Sequence, residues 1–286
     1  LATRIYDSDE IRTLVDIGTN GEVVMGSKDG LMVCSAPAGP ALEGAQIRHG
    51  MRGALGAIEK VYIDDDVTCD IIGATPAIGI CGSGLIDACA KLATAEVMEP
   101  SGRLRRKKRE ELPEKLQERL VDTSDGCHFV LVEEEDSGRD EPIVITQADI
   151  RQVQLAKSAI FSGIVMLQHV MKISDDDLQE VMMCGGFGNY INIESAVKIR
   201  LIPNLPLEKI TYSGNAALMG AQMALLSETE RDRAYDLSLK MEHVALATRP
   251  EFQDIFVDAM TFLGPDTHVG NSQSEENEMV AAGGAD

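Results

Sequence analysis

The sequence predicts an α/β domain in which helices flank a mixed sheet. Residues 13–36 contain three short apolar runs separated by turn residues, which is the pattern of an antiparallel meander. Residues 147–173 carry apolar side chains at helical spacing over a length typical of a long buried helix. Glycine-rich turns follow several predicted strands and precede helices. These patterns indicate strands and helices packed in layers around one core.

Composition limits the possible partners and the cellular setting. The 286 residues include 47 acidic and 26 basic side chains, a net charge of -21, which argues against general affinity for nucleic acid or an anionic membrane. Six cysteines lack CxxC spacing, so we expect reduced core thiols in a cytoplasmic protein rather than a metal site. No apolar run reaches the ~20 residues of a membrane span. Because the chain begins at Leu1, we expect a piece of a longer protein.

The first half of the chain is predicted to continue from the meander into an insertion. Asn20-Gly21 predicts a two-residue hairpin turn with positive φ between the first two strands. A helix near residues 40–49 and a strand at residues 61–63 follow. The next segment has the pattern of strand, turn, strand, glycine-rich turn and helix, and that helix begins near Ser83.

A charged insertion at about residues 100–145 interrupts the apolar pattern. The run RLRRKKRE favours a solvated insertion helix over an interaction patch. Thr146 and Asp149 then form a predicted capping box for the long helix.

Helices dominate the remaining chain. A short strand ends in GGFGN, and GNAALMGAQMALL predicts a helix whose alanine and glycine face packs on the sheet. Two further helices are expected around residues 230–246 and 250–262. We expect one domain over residues 1–263 and a disordered tail over residues 264–286, which lacks aromatic residues.

Three glycine-rich turns at strand ends carry the candidate chemistry. They are DIGTNGE at residues 16–22, GICGSG at residues 79–84 and CGGFGN at residues 184–189. Glycines let a ligand approach the backbone, and threonine hydroxyls and unpaired amides suit phosphate oxygens. Asp16 could hold hydrated Mg²⁺, which takes only one or two carboxylates. Taken alone, each turn is more typical of a structural hairpin.

Several familiar sites are excluded by spacing. GGFG lacks the GxGxxG fingerprint of a classical dinucleotide fold, and no GxxxxGK is present. GICGSG lacks the GxSxG spacing of a nucleophile elbow, so Ser83 is better interpreted as a helix N-cap that can face an anion. Gly82, Ser83 and Gly84 are therefore candidate cofactor contacts.

The order of these segments resembles the actin-like ATPases, which have a ribonuclease-H-like fold. In that superfamily a DxGT hairpin contacts the phosphates of ATP, and a later Gly-Gly turn contacts the adenosine. The resemblance implies that Asp16 is the catalytic and Mg²⁺-binding residue. Glu22 could reach the cation or be an exposed strand acid. The remaining implied ATP contacts are Gly18, Thr19, Asn20, Gly21, Gly185, Gly186, Phe187 and Gly188.

A closer resemblance is to the C-terminal domain of the reductive activators of corrinoid proteins. LVDIGTNGEVVMGS, GICGSGLID, ITQADIRQVQLAKSAI, GGFGNYI and GNAALMGAQMALL carry it over residues 14–262. Such activators combine a [2Fe-2S] domain, a linker, a middle domain and an actin-like domain. The resemblance implies ATP-dependent reduction of a Co(II) corrinoid to Co(I), a corrinoid protein of a methyltransferase system as partner, and a homodimer.

The chain departs from that pattern in two ways. It lacks the ferredoxin domain, and no cysteine cluster replaces it. It also has one DxGT hairpin, whereas a complete actin-like ATPase has two. We therefore expect half of a nucleotide cleft, with weak ATP binding and little or no turnover, so whether the chain alone is an enzyme stays open.

Two other functions are considered. A small-molecule kinase needs a carboxylate base aimed at a substrate hydroxyl and a second half, and the sequence shows neither. A non-catalytic docking and dimerisation module would leave the glycine turns purely structural. Glu43, Arg48, His49 and Arg52 form a polar set without an assigned role, and for His49 a helix-end or surface position is favoured over a place near the corrinoid.

Overall fold

Strands and helices alternate along the chain in the computed structural model, which describes residues 1–186, 190–264 and 268–269. In chain order, the strands are β1 (Arg12–Ile17), β2 (Gly21–Ser27), β3 (Gly30–Ala36), β4 (Ala57–Ile63), β5 (Val67–Ile71), β6 (Gly79–Ile80), β7 (Leu120–Thr123), β8 (Gly126–Val132), β9 (Ile143–Thr146), β10 (Glu180–Cys184), β11 (Ile210–Tyr212) and β12 (Glu242–His243). The α-helices are α1 (Gly82–Thr94), α2 (Glu114–Glu118), α3 (Gln147–Met171), α4 (Ile193–Lys198), α5 (Ala216–Leu226), α6 (Glu228–Lys240) and α7 (Glu251–Asp258). The predicted α/β class is confirmed.

Six strands form the main sheet in the order β11-β10-β1-β2-β3-β12. β1, β2 and β3 pair antiparallel, as the meander prediction requires. β10 pairs parallel with β1, β11 with β10, and β12 with β3. Because Asp16 of β1 pairs with Cys184 of β10, the carboxyl end of β10 lies beside the turn of the first hairpin.

Helix α3 covers one face of this sheet. Val15, Ile17 and Val23 alternate with more exposed residues and are buried on that face, as the period of two along a strand dictates. The predicted capping box is confirmed, since Thr146 Oγ1 accepts from Asp149 N at 3.1 Å and the Asp149 carboxylate accepts from Thr146 N at 2.9 Å.

The whole segment between β3 and α3, residues 37–146, is called the insertion from here on, and it includes the charged segment at residues 100–145. It contains two small sheets, β5-β4-β6 and β7-β8-β9. Helix α1 packs on β4, where Asp87 Oδ2 accepts from Val61 N at 2.7 Å. Asp87 Oδ1 also accepts from Ser195 Oγ of α4 at 2.5 Å. This buried carboxylate of α1 therefore forms hydrogen bonds both within the insertion and with α4, the helix that follows β10.

Two insertion helices predicted from the sequence are absent from the described residues. Over residues 40–49 the structure has only a 3-10 turn at Pro40–Glu43, because Gly44 and Gln46 adopt left-handed conformations with φ of 82° and 65°. The charged segment forms a 3-10 turn at Arg106–Glu111, short α2, and β7 instead of a solvated helix.

Buried leucines explain the fold of the charged segment. They fix it to the core at four points, and the basic side chains between them pair with nearby acids, for example Arg109 with Asp122 at 3.2 Å. The buried residues are Leu104, Leu112, Leu116 and Leu120.

The C-terminal helices are present, but α5 packs differently from its prediction. Ala216 is its one buried residue, and its main contact is with α6 rather than with the sheet. Apart from residues 264, 268 and 269, the tail predicted to be disordered lies outside the described residues. None of the described helices combines the length and apolarity that a bilayer crossing requires.

Candidate functional site

The hairpin between β1 and β2 has a longer turn than predicted. β2 begins at Gly21, so Gly18, Thr19 and Asn20 form a three-residue turn in which Gly18 N donates to Asn20 O at 3.0 Å. Neither Asn20 nor Gly21 has a positive φ. A Cβ at Gly21 would lie 2.6 Å from Cγ1 of Ile160 on α3. The two-residue turn prediction is therefore wrong, because the glycine serves close packing of α3.

Asp16 belongs to a row of polar residues on the sheet face opposite α3. It pairs across the strands with Glu22, which pairs in turn with Ser35. Ser35 Oγ donates to Glu22 Oε1 at 3.2 Å. Partial burial raises the pKa of Asp16, and repulsion from Glu22 raises it further. Two neighbouring carboxylates at strand ends form a donor set suited to hydrated Mg²⁺.

Thr19 connects the hairpin turn to the insertion. Its hydroxyl donates a hydrogen bond to Glu43, and its carbonyl accepts from Gly39 N at 2.8 Å. The sequence leaves Glu43 without a role, and the structure places it against the predicted phosphate turn. Because 24 residues separate Thr19 from Glu43, no local pattern reveals this contact.

The turn after β10 packs directly on the hairpin. Gly185 has a φ of +114°, and a Cβ there would lie 2.5 Å from Ile17 O and 3.0 Å from Asp16 Oδ1. Only glycine fits this position. At Gly186, in contrast, a Cβ would meet no atom of the described residues within 4 Å, which leaves room for a ligand. Two further predicted contacts lie outside the described residues: Phe187 and Gly188.

Packing explains the glycines at the start of α1. A Cβ at Gly82 would lie 1.8 Å from Leu42 O, and a Cβ at Gly84 would lie 2.2 Å from Ile58 O. Both glycines let the first turn of α1 lie on the backbone of the insertion. Their contact with a cofactor stays a prediction.

Ser83 is not the helix N-cap that the sequence predicts. The N-cap is Cys81, and Ser83 is the second residue of α1. The helix starts earlier because Gly82 already adopts its first position against the insertion. Ser83 Oγ lies 3.2 Å from Cys81 Sγ, and both side chains are buried.

One cavity joins several of these elements. Its volume is about 480 Å³, and its walls include Glu43, Arg52, Gly82, Ser83 and Tyr190. Glu43 connects it to the hairpin through Thr19, and Tyr190 follows the glycine turn after β10. Within the part of the chain that the structure describes, Arg52 has no carboxylate partner. The sequence missed this cavity because its walls come from segments far apart in the chain.

Arg48 and His49 line a different cavity of about 150 Å³. His49 is buried, and its Nδ1 accepts from Val144 N of β9 at 3.1 Å. Burial lowers the pKa of His49. Arg48 pairs with Asp125 at 3.2 Å. The expected helix-end or surface position of His49 is therefore wrong, since residues 40–49 form no α-helix and the His49 ring is buried against β9.

Comparison with known proteins gives relatives over most of the chain. It is 36% identical over 249 residues to the corrinoid activation enzyme RamQ of Eubacterium limosum. This alignment covers 87% of this chain and 42% of that protein. It is 24% identical over 287 residues to the [Co(II) methylated amine-specific corrinoid protein] reductase of Methanosarcina barkeri. That alignment covers 92% of this chain and 48% of the reductase.

A solved structure and a family model agree with these relatives. The structure, a reductive activator for corrinoid, iron-sulfur protein, superposes with a TM-score of 0.83 at 40% identity and covers 93% of this chain and 42% of that chain. This chain therefore spans less than half the length of the relatives it matches. The family model described as the C-terminal domain of RACo, the ASKHA domain, matches residues 10–273. The chain belongs to this family of RACo C-terminal ASKHA domains.

Proposed function

We propose that this chain is the C-terminal, actin-type part of an ATP-dependent reductive activator that returns an inactive Co(II) corrinoid protein to the Co(I) state. Relatives named for corrinoid activation and for reduction of a Co(II) corrinoid protein support this function. The observation that carries its nucleotide part is the meeting of Asp16, Glu22 and the Gly185-Gly186 turn at one end of the main sheet.

The donor set at this end of the sheet fits a magnesium nucleotide. Asp16 and Glu22 lie side by side, and a cation between them would relieve the repulsion that contributes to the raised pKa of Asp16. Bound Mg-ATP would supply the free energy for a conformational cycle. Asp16 would orient the hydrated cation, the turn at residues 18–20 would present amides to phosphate, and Gly186 would let the nucleoside approach the backbone.

The adjoining cavity would add contacts to the same ligand. The Thr19 hydroxyl donates to Glu43, so a phosphate at the hairpin would compete with that carboxylate for the hydroxyl. Arg52 presents a guanidinium to the cavity without a carboxylate partner among the described residues. We assign Arg52 to the proposed site because an unpaired guanidinium suits an anionic ligand.

This arrangement would be half of a nucleotide cleft. The chain spans 42% and 48% of two relatives, and we place the second phosphate hairpin and the [2Fe-2S] centre in the rest of a longer protein. The six cysteines are free, and no three potential metal ligands cluster within the described ranges. Electrons for the corrinoid would then come from outside this chain.

Nucleotide binding would act by changing the affinity of the activator for one redox state of its partner. Such coupling lets an unfavourable electron transfer proceed within a conformational cycle. Two contacts of the hairpin support its role in this conformational cycle. Thr19 contacts Glu43 of the insertion, and Gly21 packs against Ile160 of α3. The homodimer and the methyltransferase-system partner stay predictions.

Calorimetry of Mg-ATP binding tests the nucleotide part. We expect weak binding to the 286-residue chain that Asp16→Ala and Gly186→Val both abolish, while Arg48→Ala, in the other cavity, leaves it unchanged. Nucleotide at 100 times its dissociation constant should also stabilise the fold by about 2.7 kcal/mol. Gly186→Val should fold normally, because no atom of the described residues lies within 4 Å of a Cβ at Gly186.

Two negative results have different meanings. Binding by the longer protein alone would mean that the second half is required for measurable affinity. No binding by either protein would contradict the proposal and favour the non-catalytic docking module.

A further inference from the structure

The basic run RLRRKKR, residues 103–109, has no part in the proposed function. It holds six of the 26 basic residues of a chain whose net charge is -21. In the structure it lines a cavity of about 400 Å³ beside the start of α3, a volume within the range of small-molecule sites. We call this space the basic cavity. Five basic residues lie in its wall: Arg103, Arg105, Arg106, Lys107 and Lys108.

The backbone of the run is fixed to the rest of the domain. Leu104 is buried between the basic side chains, and its backbone N donates to Gln147 Oε1 at 3.1 Å. Gln147 Nε2 in turn donates to Gly102 O at 2.7 Å. Because Gln147 is the first residue of α3, both hydrogen bonds attach the run to the long helix. A wall that is ordered in advance lowers the entropy cost of binding a ligand.

Ion pairs hold the guanidinium groups of the run from outside the basic cavity. Arg105 pairs with Glu96 at 3.3 Å, and Arg106 pairs with Asp122 at 2.7 Å. Neither Glu96 nor Asp122 belongs to the wall that the described residues form. These acids therefore position the two arginines without filling the cavity.

The two acids that do lie in the wall have other partners. Glu99 accepts from Ser101 Oγ at 3.2 Å, and Asp125 pairs with Arg48 at 3.2 Å. Within the ranges that the structure describes, neither carboxylate pairs with a basic residue of the run. The wall therefore keeps an excess of positive charge.

Some of the donors in this wall have no acceptor. Arg103 and Lys107 lack a carboxylate partner among the described residues. The Nε atom of Arg105 is buried, and no described group accepts from it. A buried donor without an acceptor costs free energy unless an ion or a water molecule satisfies it. An anion in the cavity would supply acceptors to this wall.

We propose that the basic cavity binds a small molecule that carries a diphosphate group. The guanidinium fork of arginine binds two phosphate oxygens at once. The five cations of the wall exceed its two carboxylates by three, which is more than the about two negative charges of a single phosphate group. This inference goes beyond the proposed function and does not depend on it, since the wall shares no residue with the hairpin of Asp16 or the cavity of Arg52.

Calorimetry with pyrophosphate tests the site. The titration is done in about 0.15 M NaCl, which screens non-specific attraction, and without Mg²⁺, so that the Asp16 hairpin has no cation to hold phosphate. We expect saturable binding that Arg103→Gln with Lys107→Gln weakens by about tenfold or more. Both side chains are exposed, so this double variant should fold. The control, Lys60→Gln with Lys115→Gln, removes the same charge from exposed positions outside the cavity and should change the affinity by less than about twofold.

Four results would overturn the diphosphate proposal. The first is no binding at this salt concentration, and the second is equal weakening by the control variant, which would indicate general charge attraction. The third is loss of pyrophosphate binding with Asp16→Ala, which would place pyrophosphate at the hairpin. The fourth is citrate binding as tightly as pyrophosphate, which would assign the cavity to carboxylates, such as those of an acidic peptide. Pyrophosphate binding without Mg-ATP binding would support this site and contradict only the nucleotide function.

Discussion

Lys157 places an amine inside the core between α3 and the turn after α7. Its Nζ donates hydrogen bonds to the carbonyl oxygens of Ala259 and Thr261 and lies 5.0 Å from the centroid of the Phe262 ring. Burial lowers the pKa of Lys157 to about 6, and repulsion from Arg200 contributes. The amine is therefore mostly neutral at pH 7, yet it still joins the C-terminal turn to α3.

This buried amine should make stability depend on pH. The unfolded lysine holds its proton up to its usual pKa of 10.5, whereas the folded one holds it only below about 6, so the unfolded state binds more protons between these values and stability rises with pH. Lys157→Met removes the effect. Between about pH 6.5 and 8, we expect the free energy of unfolding of wild type, measured with urea, to rise relative to that of Lys157→Met by about 1 kcal/mol per pH unit.

An exposed lysine provides the control for this pH dependence. Lys60→Met should give a curve parallel to that of wild type, since Lys60 is more than half exposed. A difference between wild type and Lys157→Met that stays constant with pH would mean that the folded amine is not desolvated.

At the scale of elements, the start of α3 depends on more than its capping box. Asp149 Oδ2 accepts from Thr146 N and Thr146 Oγ1, and Oδ1 accepts from Arg48 N of the insertion at 2.9 Å. Asp149→Ala would leave buried donors unpaired and should cost about 3 kcal/mol. The exposed capping box of Ser174 and Asp177 supplies a control, because Asp177→Ala should cost about 1 kcal/mol or less. Equal losses in urea unfolding would contradict a role for the Arg48 contact.

This helix shows which features the sequence can predict. The reciprocal bonds of Thr146 and Asp149 join residues three apart, so a local pattern reveals them. The bond to Arg48 crosses 101 residues, and no periodicity encodes it. Local sequence also predicts α5 as a helix. It does not predict how α5 packs, because an apolar helix has the same sequence pattern whether its side chains are buried or exposed.

The residues of the candidate site also fall into two groups: those that a sequence pattern predicts and those that depend on contacts between distant segments. The order of motifs predicts Asp16 and the Gly185-Gly186 turn, and β-strand pairing brings them together. The cofactor contacts of Gly82 and Gly84, in the first turn of α1, stay predictions, because close packing against Leu42 O and Ile58 O already accounts for both glycines. Arg52 carries no local signal, since its place in the cavity depends on segments distant in sequence.

At the scale of the whole molecule, acidic self-repulsion should limit stability. The net charge is -21, and the exposed acids Glu134 and Glu135 form no ion pair with another described residue. Like charges on a compact domain repel one another over about 30 Å at 0.01 M salt and about 8 Å at 0.15 M.

Salt should therefore stabilise the fold. We expect the melting temperature to rise by ~2 °C or more between about 0.01 M and 0.15 M NaCl, as measured by circular dichroism. Replacing two acids, Glu134→Gln with Glu135→Gln, should raise it at the lower salt concentration and have little effect at the higher one, because screening already removes that repulsion. A melting temperature that falls with salt would mean that ion pairs such as Arg106 with Asp122, at 2.7 Å, outweigh the repulsion between the remaining acids.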